Sequence, residues 1–575
     1  MRRSPWLALL LIAGLPAQAQ DWAQWGRNAQ HTSTTSAVGQ RASRLLADVV
    51  YDPFVNAEKT DPNSFGDLLV HYQVPLLDGN SVFMEFKSGT YTGITHWETQ
   101  VWNEKRLKWM GGRLKAQWSF RSDWKPAPFG SFLTGNGPSW EPVFHAALSG
   151  GFIYVPGAGG SVFKLNKTNG RLVTRISPFG PAFDPNTFLS GPITTDSKGN
   201  AYYNVLKLDA TDPWDVDVVN SWLVKVLPNN TFRTATFASL THGAPQGKDQ
   251  CPGVFDTAAL PWPPSPSAVP PPVICGSQRP GLNSAPAVAP NGTIYTVSVG
   301  HLWSRSAYLV AVNNDLSPKW ISSMSDRLHD GCNVLLPPNG QPGGCRAGAA
   351  TGVDPAQNQP GAGRIHDDIS SSPVVAPDGA IFYGAYTRYN YSQGHLMKWS
   401  PSGEFLAAYP FGWDDTPAIF VHGGTYSLLT KDNQYGGIGS YCNDETACPS
   451  DRTGTNPAFP EGYFMTRLNA DLEVEWRWQN ANPLSCTRDA HGHVSCVSDH
   501  PDGFEWCVNA PAVDKNGVVY SNSEDGNVYV IRADGTLREH LFLNLALGAA
   551  YTPLSIALDG KILAQNDGHL FVVGK

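Results

Sequence analysis

The feature that most constrains the fold is a unit that recurs eight times along the chain. Each copy starts with a proline, continues as a short apolar strand and a tight turn, and ends in a second strand rich in Tyr, Ile and Val. The eight prolines are Pro75, Pro142, Pro192, Pro286, Pro373, Pro417, Pro511 and Pro553. Turns such as Asn291-Gly292 and Asp378-Gly379 favour hairpins, because Asn, Asp and Gly accept positive φ. A chain of 575 residues with this period is expected to repeat a small unit.

Most copies are followed by a third and a fourth strand joined by another short turn, as in 395–409 and 527–541. Four antiparallel strands repeated eight times predict an all-β chain, an eight-bladed β-propeller of four-stranded antiparallel blades. Counts of seven or nine blades stay open, because the first copy is irregular. After Pro553 the chain supplies only three strands, and the segment 44–51 has the pattern of the missing one. We therefore expect residues 20–575 to form one propeller, closed by an N-terminal strand in the last blade.

The first nineteen residues have the pattern of a signal peptide. Arg2 and Arg3 precede an apolar run at 6–15, and 17–19 fits an A-x-A cleavage site. The apolar run is shorter than the roughly 20 residues that a membrane-spanning helix needs. We expect a periplasmic or secreted chain without a membrane span, and a monomer. The formal net charge of −8, with no basic run, argues against a nucleic-acid partner.

Eight of the nine cysteines fall into close pairs, which an exported chain is expected to use as disulfides. The pairs are Cys251/Cys275, Cys332/Cys345, Cys442/Cys448 and Cys486/Cys496. Pairing of neighbours closes four separate loops, although the spacing leaves the connectivity open. A metal cluster is the alternative, but no C-x-x-C motif occurs. Cys507 is left over and is expected to be a buried thiol.

The long connections are all predicted on one face of the propeller. Turns from first to second strand and from third to fourth strand are short, whereas the other connections carry the insertions. The four longest are 239–284, 326–371, 431–462 and 480–508, and each contains one cysteine pair. Long loops on a rigid scaffold are where binding and catalysis concentrate. We therefore predict the functional site on this side, which we call the loop-rich face; surface decoration is the alternative.

Residues that directly precede the first strands, or lie in the links leading to them, should surround the mouth of the central channel. The ligand-binding candidates are Trp140, Glu141, Asn283, Arg364, Asp414, Asp415, Trp506 and Tyr551. Polar, acidic and aromatic side chains together are typical of a small-molecule or sugar site. His366, Asp367 and Asp368 are the catalytic candidates, because adjacent carboxylates beside a histidine can supply acid and base or bind Ca²⁺. The alternative for each is a structural role at a strand end.

The segment 22–32, with Trp22, Trp25, Arg27 and His31, matches a W-x-x-aromatic-x-R-[DN]-x-x-H-T pattern. Segments SAPAVAPNGTIY and SSPVVAPDGAIFY match a blade repeat. In these features the chain resembles the pyrroloquinoline-quinone-like β-propeller superfamily, which includes quinoprotein alcohol dehydrogenases and a lipoprotein of outer-membrane assembly. The adjacent Cys-Cys pair of many dehydrogenases and the lipidated cysteine of the lipoprotein are both absent from this sequence.

The resemblance implies pyrroloquinoline quinone and Ca²⁺ as candidate cofactors. Matched by location, the metal ligands would be Glu141, Asn283, and Asp367 or Asp368, with Trp506 as the floor of the quinone site. Three classes of function follow. The first is an exported propeller that binds a small-molecule, sugar or protein ligand on the loop-rich face. The second is a quinone- and Ca²⁺-dependent alcohol or sugar dehydrogenase. The third is a carbohydrate- or ester-active hydrolase, lyase or transferase that uses the His366-Asp367-Asp368 segment.

Overall fold

A computed structural model describes most of the chain, and eight four-stranded antiparallel sheets dominate it. The described residues are 21–64, 66–130, 137–340, 344–387, 393–435, 461–506, 510–549 and 552–575. The predicted eight-bladed propeller is confirmed. The α-helices are limited to Val55–Lys59 and Phe237–Leu240 within these ranges. Single 3₁₀ turns occur at Trp97–Thr99, Ala158–Gly160 and Thr257–Ala259.

The first four blades follow one another in chain order, each from its inner to its outer strand. Blade 1 contains Leu76–Asp78, Ser81–Gly89, Gln100–Met110 and Arg113–Arg121. Blade 2 contains Ala147–Ser149, Phe152–Pro156, Val162–Asn166 and Leu172–Ile176. Blade 3 has a divided inner strand and contains Thr187–Leu189, Thr194–Thr195, Ala201–Lys207, Asn220–Val226 and Phe232–Thr236. Blade 4 is divided in the same way and contains Gln278–Pro280, Ala287–Val288, Ile294–Gly300, Trp303–Val312 and Pro318–Ser323.

The remaining blades repeat this order. Blade 5 contains Val374–Val375, Ile381–Tyr386, Gln393–Trp399 and Phe405–Gly412. Blade 6 contains Ala418–His422, Thr425–Gln434, Gly462–Asn469 and Val474–Gln479. Blade 7 contains Ala512–Val513, Val519–Asn522, Asn527–Ile531 and Leu537–Phe542. Blade 8 contains Ser555–Ile556, Ile562–Asn566, His569–Gly574 and Arg44–Val50. Its outer strand pairs Arg44 with Gly574 and Val50 with His569, so the predicted closure by an N-terminal strand is confirmed.

Successive strands of a blade run antiparallel, so alternate connections lie on opposite faces. On one side every turn has two to five residues, and we call this side the turn face. The loop-rich face carries the long links and three additional hairpins. These hairpins are Gln250–Pro252 with Pro272–Ile274, Val353–Asp354 with Gln359–Pro360, and Leu484–Arg488 with Val494–Ser498. No helix within the described ranges is both long and apolar enough to span a bilayer.

Three of the four predicted cysteine pairs are disulfides in the structure. They are Cys251–Cys275, Cys332–Cys345 and Cys486–Cys496, with sequence separations of 24, 13 and 10 residues. The fourth pair, Cys442 and Cys448, lies outside the described residues, as do Cys507, Tyr551 and the predicted signal peptide. The described pairs are local cross-links within loops or a single hairpin.

The residues 22–40 form a segment that we call the N-terminal strap, which runs across the turn face. It contacts an inner strand, or the turn that follows one, in all eight blades in chain order. The blade residues that share its hydrogen bonds are Leu77, Leu148, Thr195, Val288, Val375, Ile419, Val513 and Gly560. His31 lies buried within the strap, where Nδ1 is 2.8 Å from the Pro373 carbonyl oxygen. The motif that carries the family resemblance therefore has a structural role, which is to join the blades around the channel.

Candidate functional site

Asp368 joins two links on the loop-rich face. Its Oδ1 accepts hydrogen bonds from the backbone N–H groups of Ser139 (2.6 Å) and Trp140 (3.0 Å), and Oδ2 accepts one from Ser139 Oγ (2.6 Å). His366 Nδ1 lies 3.3 Å from Asp368 Oδ2. Burial raises the pKa of Asp368 to about 7, although the bonds from Ser139 and Trp140 oppose the rise. The link into blade 2 is thus fixed to the link into blade 5 by a carboxyl group that titrates near neutral pH.

Asp367 points to a different partner. Its carboxylate forms a bidentate pair with Arg279, at 2.9 Å from Nη1 to Oδ1 and 2.5 Å from Nη2 to Oδ2. Both side chains are buried. Burial alone would raise the pKa of Asp367, but the Arg279 guanidinium more than offsets this effect and the net pKa lies below the usual range. The two neighbouring carboxyl groups therefore have pKa values that are pushed apart.

A stack of planar groups lies next to His366. The rings of Tyr386 and Trp413 are parallel to within 12°, with centroids 4.8 Å apart. The Arg364 guanidinium lies 5.9 Å from the Tyr386 centroid and donates to Ser304 Oγ from Nε at 3.0 Å. His366 meets the Tyr386 ring edge-on, at 5.7 Å between centroids. We call Arg364, Tyr386 and Trp413 the aromatic stack; Arg364 and Trp413 are half-buried.

His71 links this region to blade 1. Its Nε2 lies 3.1 Å from the Asp368 carbonyl oxygen, Nδ1 lies 3.0 Å from that of Glu141, and its ring is 5.8 Å from Trp140. Burial lowers the pKa of His71 to about 4, so the imidazole is neutral at physiological pH. Trp140 is half-buried, as are two members of the aromatic stack. Trp140, His366, Asp368, His71 and the aromatic stack form one connected set, which we call the mouth site.

The two acidic residues before blade 6 border the mouth site. Asp414 Oδ2 accepts hydrogen bonds from the Ser370 N–H (2.9 Å) and the Ser371 hydroxyl (3.3 Å). Asp415 Oδ2 accepts one from Thr430 Oγ1 (2.7 Å), and burial raises the Asp415 pKa to about 6. Asp414 therefore joins the links into blades 5 and 6, and Asp415 joins the link into blade 6 to the second strand of that blade.

Three other predicted residues are not members of the mouth site, although two of them adjoin it. The Glu141 carbonyl oxygen contacts His71, and Asn283 Nδ2 donates to the Asp367 carbonyl oxygen at 3.3 Å. Glu141 Oε2 is 2.8 Å from Lys87 Nζ in the interior of blade 1, and burial raises the Glu141 pKa to about 7. Asn283 is also buried, where its Oδ1 accepts the Val143 N–H at 2.9 Å. Trp506 is fully buried, with its ring 5.4 Å from that of Tyr529.

The residues present do not fit a calcium ion bound as the resemblance implies. The Asp367 carboxylate is paired with the buried Arg279, and Glu141 shares the buried Lys87 with Asp52. Across the described ranges no cluster of three or more His, Cys, Asp or Glu side chains suits a metal ion. Trp506 lies inside a hydrophobic cluster with Tyr529, which does not fit the floor of a quinone site.

Sequence reasoning did not identify His71, Tyr386 and Trp413, nor the cations Lys87 and Arg279. Trp413 directly precedes Asp414, which was a candidate because it lies just before an inner strand. The same position in the sequence could have identified Trp413 as a candidate. Lys87 and Arg279 lie in strands of blades 1 and 4, and they are 54 and 88 residues away from the acids they contact. No local sequence pattern predicts ion pairs between residues this far apart in the chain.

No protein-family model matches the chain, and neither does any curated protein. The chain does match solved structures. A europium-containing methanol dehydrogenase is similar with a TM-score of 0.50 and 10% identity, covering 96% of this chain and 90% of that one. The quinohemoprotein alcohol dehydrogenase from Comamonas testosteroni is similar with a TM-score of 0.53 and 11% identity, covering 97% and 82%. At such identities the likeness is one of fold. The eight-bladed β-propeller of this chain is therefore similar in fold to these two solved structures.

Proposed function

We propose that this protein is a ligand-binding propeller that takes a small polar ring compound, a carbohydrate first of all, at the mouth site. The observation that carries the proposal is the aromatic stack beside His366 and Asp368. Trp413 offers an indole at the half-buried end of a stack that Tyr386 and Arg364 hold in place. Flat apolar faces bordered by a few fixed polar groups are what sugar rings require.

The polar groups suit the same class of ligand. A carboxyl group with a pKa of about 7 both donates and accepts hydrogen bonds near neutral pH, and Asp368 is such a group. Its position is fixed by Ser139 and Trp140, so little side-chain entropy is lost when a ligand binds. Hydroxyl groups of a sugar are well matched to donors and acceptors of this kind.

The alternative of a quinone- and Ca²⁺-dependent dehydrogenase is supported by the folds of the two solved neighbours. The buried ion pairs of Glu141 and Asp367 argue against it, because both carboxylates would have to leave their cations to bind a metal. We therefore place ligand binding ahead of dehydrogenation.

A second candidate is acid–base catalysis on a carbohydrate or an ester, as in a hydrolase, lyase or transferase. It is favoured by the separation between Asp368, with a pKa raised to about 7, and Asp367, with a pKa below its usual range. Pairs of carboxyl groups with separated pKa values are typical of acid–base sites. Asp368 would then hold the transferable proton, while Asp367 would stay ionised and fix the segment to Arg279.

A carbohydrate array followed by titration calorimetry tests the binding proposal. Trp413→Ala should weaken binding of any sugar found by roughly tenfold, the loss of about one stacking contact. The matched control is Trp320→Ala, which removes a half-buried indole from the outer strand of blade 4. Equal affinities in the two variants, or no sugar bound by the unaltered protein, would contradict the proposal.

The two alternatives have their own outcomes. A rise in melting temperature on adding pyrroloquinoline quinone with Ca²⁺, together with reduction of a dye by alcohols, would favour the dehydrogenase. Turnover of a glycoside or ester that Asp368→Asn abolishes, with the melting temperature unchanged, would favour acid–base catalysis. Binding without either result supports the ligand-binding propeller.

A further inference from the structure

The turn face contains a cavity of about 710 Å³ between the N-terminal strap and the turns of blades 2, 3 and 4. Polar side chains that line it include Gln24, Arg27, Ser149, Ser197, Lys198 and Asn314. The volume lies within the range of small-molecule sites, roughly 300–1,000 Å³. The cavity lies at the end of the propeller opposite the mouth site, so an inference about it does not depend on the proposed function.

The charges of the cavity wall are unequal. Arg27 and Lys198 supply two cations, while Asp196 is the single carboxylate in the wall. Both oxygens of that carboxylate already accept hydrogen bonds from residues in and next to the blade-3 turn. It accepts the N–H groups of Lys198 and Asn200 at Oδ1, and Asn200 Nδ2 (2.7 Å) and the Tyr202 hydroxyl (2.9 Å) at Oδ2. The charged groups left to meet a ligand are therefore the two cations.

Gln24 points to the same conclusion independently. Its Oε1 accepts hydrogen bonds from the N–H (2.6 Å) and the hydroxyl (2.8 Å) of Thr195, which fixes the orientation of the amide. Its Nε2 is buried and has no hydrogen-bond partner within the part of the chain that the structure describes. Buried donors are nearly always satisfied in folded proteins. Because Gln24 lies in the cavity wall, an acceptor held there would satisfy this donor.

Arg27 is held in a conformation that few non-glycine residues adopt. Its φ is +74°, in the left-handed region, and its Nε donates to the Asp21 carbonyl oxygen at 3.1 Å. This single hydrogen bond, the only one its side chain makes among the described residues, leaves both Nη groups for another acceptor. A guanidinium is the side chain that best matches the paired oxygens of a carboxylate or phosphate.

We propose that this cavity is a binding site for a small organic anion, whose carboxylate or phosphate oxygens accept hydrogen bonds from Arg27 and Gln24. Lys198 and the hydroxyls of Ser149 and Ser197 form the rest of the donor wall. A bound anion touches the N-terminal strap and three blades at once, so it stabilises the strap in its place on the turn face.

Titration calorimetry on the full chain, with sodium citrate and sodium phosphate as separate probes at constant ionic strength, tests the proposal. At least one probe should bind saturably with one site per chain, and the one that binds identifies the oxyanion class. In Arg27→Gln the dissociation constant should rise at least tenfold. The control is Arg171→Gln, which removes the same charge from an exposed turn of blade 2 on the same face.

Ser149→Asp keeps the test valid if Arg27→Gln does not fold. Ser149 lies at the edge of a tight turn, and a carboxylate there faces the cavity and repels an anion, so the dissociation constant should again rise at least tenfold. The proposal is overturned if neither probe saturates. It is also overturned if Ser149→Asp and Arg171→Gln bind with the same dissociation constant.

Discussion

The two faces of the propeller differ in what their polar residues do. On the loop-rich face, the long links bring several acidic side chains together, and their partners hold them in place. Arg279 pairs with Asp367, whereas Asp368 accepts hydrogen bonds from backbone N–H groups. On the turn face the connections are short, yet the N-terminal strap borders a cavity whose wall contains two cations and one carboxylate. The long insertions of this fold are therefore braced internally, and a binding surface does not require long insertions to form.

The largest expected effect concerns the bracing of the loop-rich face. Arg279→Met should destabilise the protein by about 3–5 kcal/mol, because it leaves the Asp367 carboxylate buried without its cation. Urea unfolding measures the change. The control is Arg41→Met, which removes a guanidinium that is 57% exposed from its pair with Glu539, and should cost less than about 1 kcal/mol. Similar losses in the two variants would mean that the buried pair is not a brace.

The second prediction tests whether the turn face depends as strongly on the strap. At Gly26 the φ is +59°, and a Cβ would lie 2.5 Å from the His31 Cα, so Gly26→Ala should cost roughly 2–4 kcal/mol. Gly79→Ala is a matched control, because Gly79 has the same φ of +59° and no atom within 4 Å of the new Cβ. It should cost about 1 kcal/mol by urea unfolding. Equal losses of stability in Gly26→Ala and Gly79→Ala would show that the N-terminal strap is only loosely attached to the blades.

The third prediction concerns pH. The folded-state pKa of Asp368 is about 7, above its unfolded value, so the folded state retains a proton that the unfolded state releases. Stability from this group is complete at acidic pH and is lost as pH rises through 7. Asp368→Asn cannot ionise, so its stability relative to the unaltered protein should improve by about 1 kcal/mol or more between pH 5 and pH 8.

The same urea series on Asp471→Asn is the control, because that carboxylate is 83% exposed. Parallel pH profiles for Asp368→Asn and the unaltered protein would show that Asp368 ionises as freely as a surface group. The loop-rich face would then lack the neutral-pH carboxyl group that the mouth site relies on.

The smallest expected effect comes from the hairpin Leu484–Arg488 with Val494–Ser498. Most of its residues are exposed, and Val497 is 64% exposed. Replacing both Cys486 and Cys496 by serine should lower the global stability by less than about 0.5 kcal/mol, because this exposed hairpin can open while the propeller stays folded, so the cross-link constrains the folded and unfolded states to a similar extent. Limited proteolysis at the hairpin should nevertheless become faster. A large loss of global stability would show that this part of the loop-rich face is integral to the propeller.

The blades could be predicted because proline and glycine mark strand starts and turns through local backbone preferences, as at Pro373 and Gly379. Closure of the propeller by an N-terminal strand could be predicted by counting strands, because the last copy of the repeat supplies three strands and not four. The path of the strap could not, because its contacts follow no period and reach blades hundreds of residues away. In the site, His366 and Asp368 were visible as neighbours in sequence. Their meeting with Ser139 and Trp140, more than 225 residues earlier, depends on the folded ring.

The closure of blade 8 has a consequence for how the chain reaches its native state. Gln40 Nε2 donates to the Asp559 carbonyl oxygen, 519 residues further along the chain. The outer strand of blade 8, Arg44–Val50, pairs with the last strand of the chain, His569–Gly574. Contacts of such separation make folding slow. Until residue 574 is available, the strand Arg44–Val50 lacks its partner, and such an unpaired strand edge can capture another chain. Truncations at either terminus should therefore aggregate rather than yield a smaller propeller.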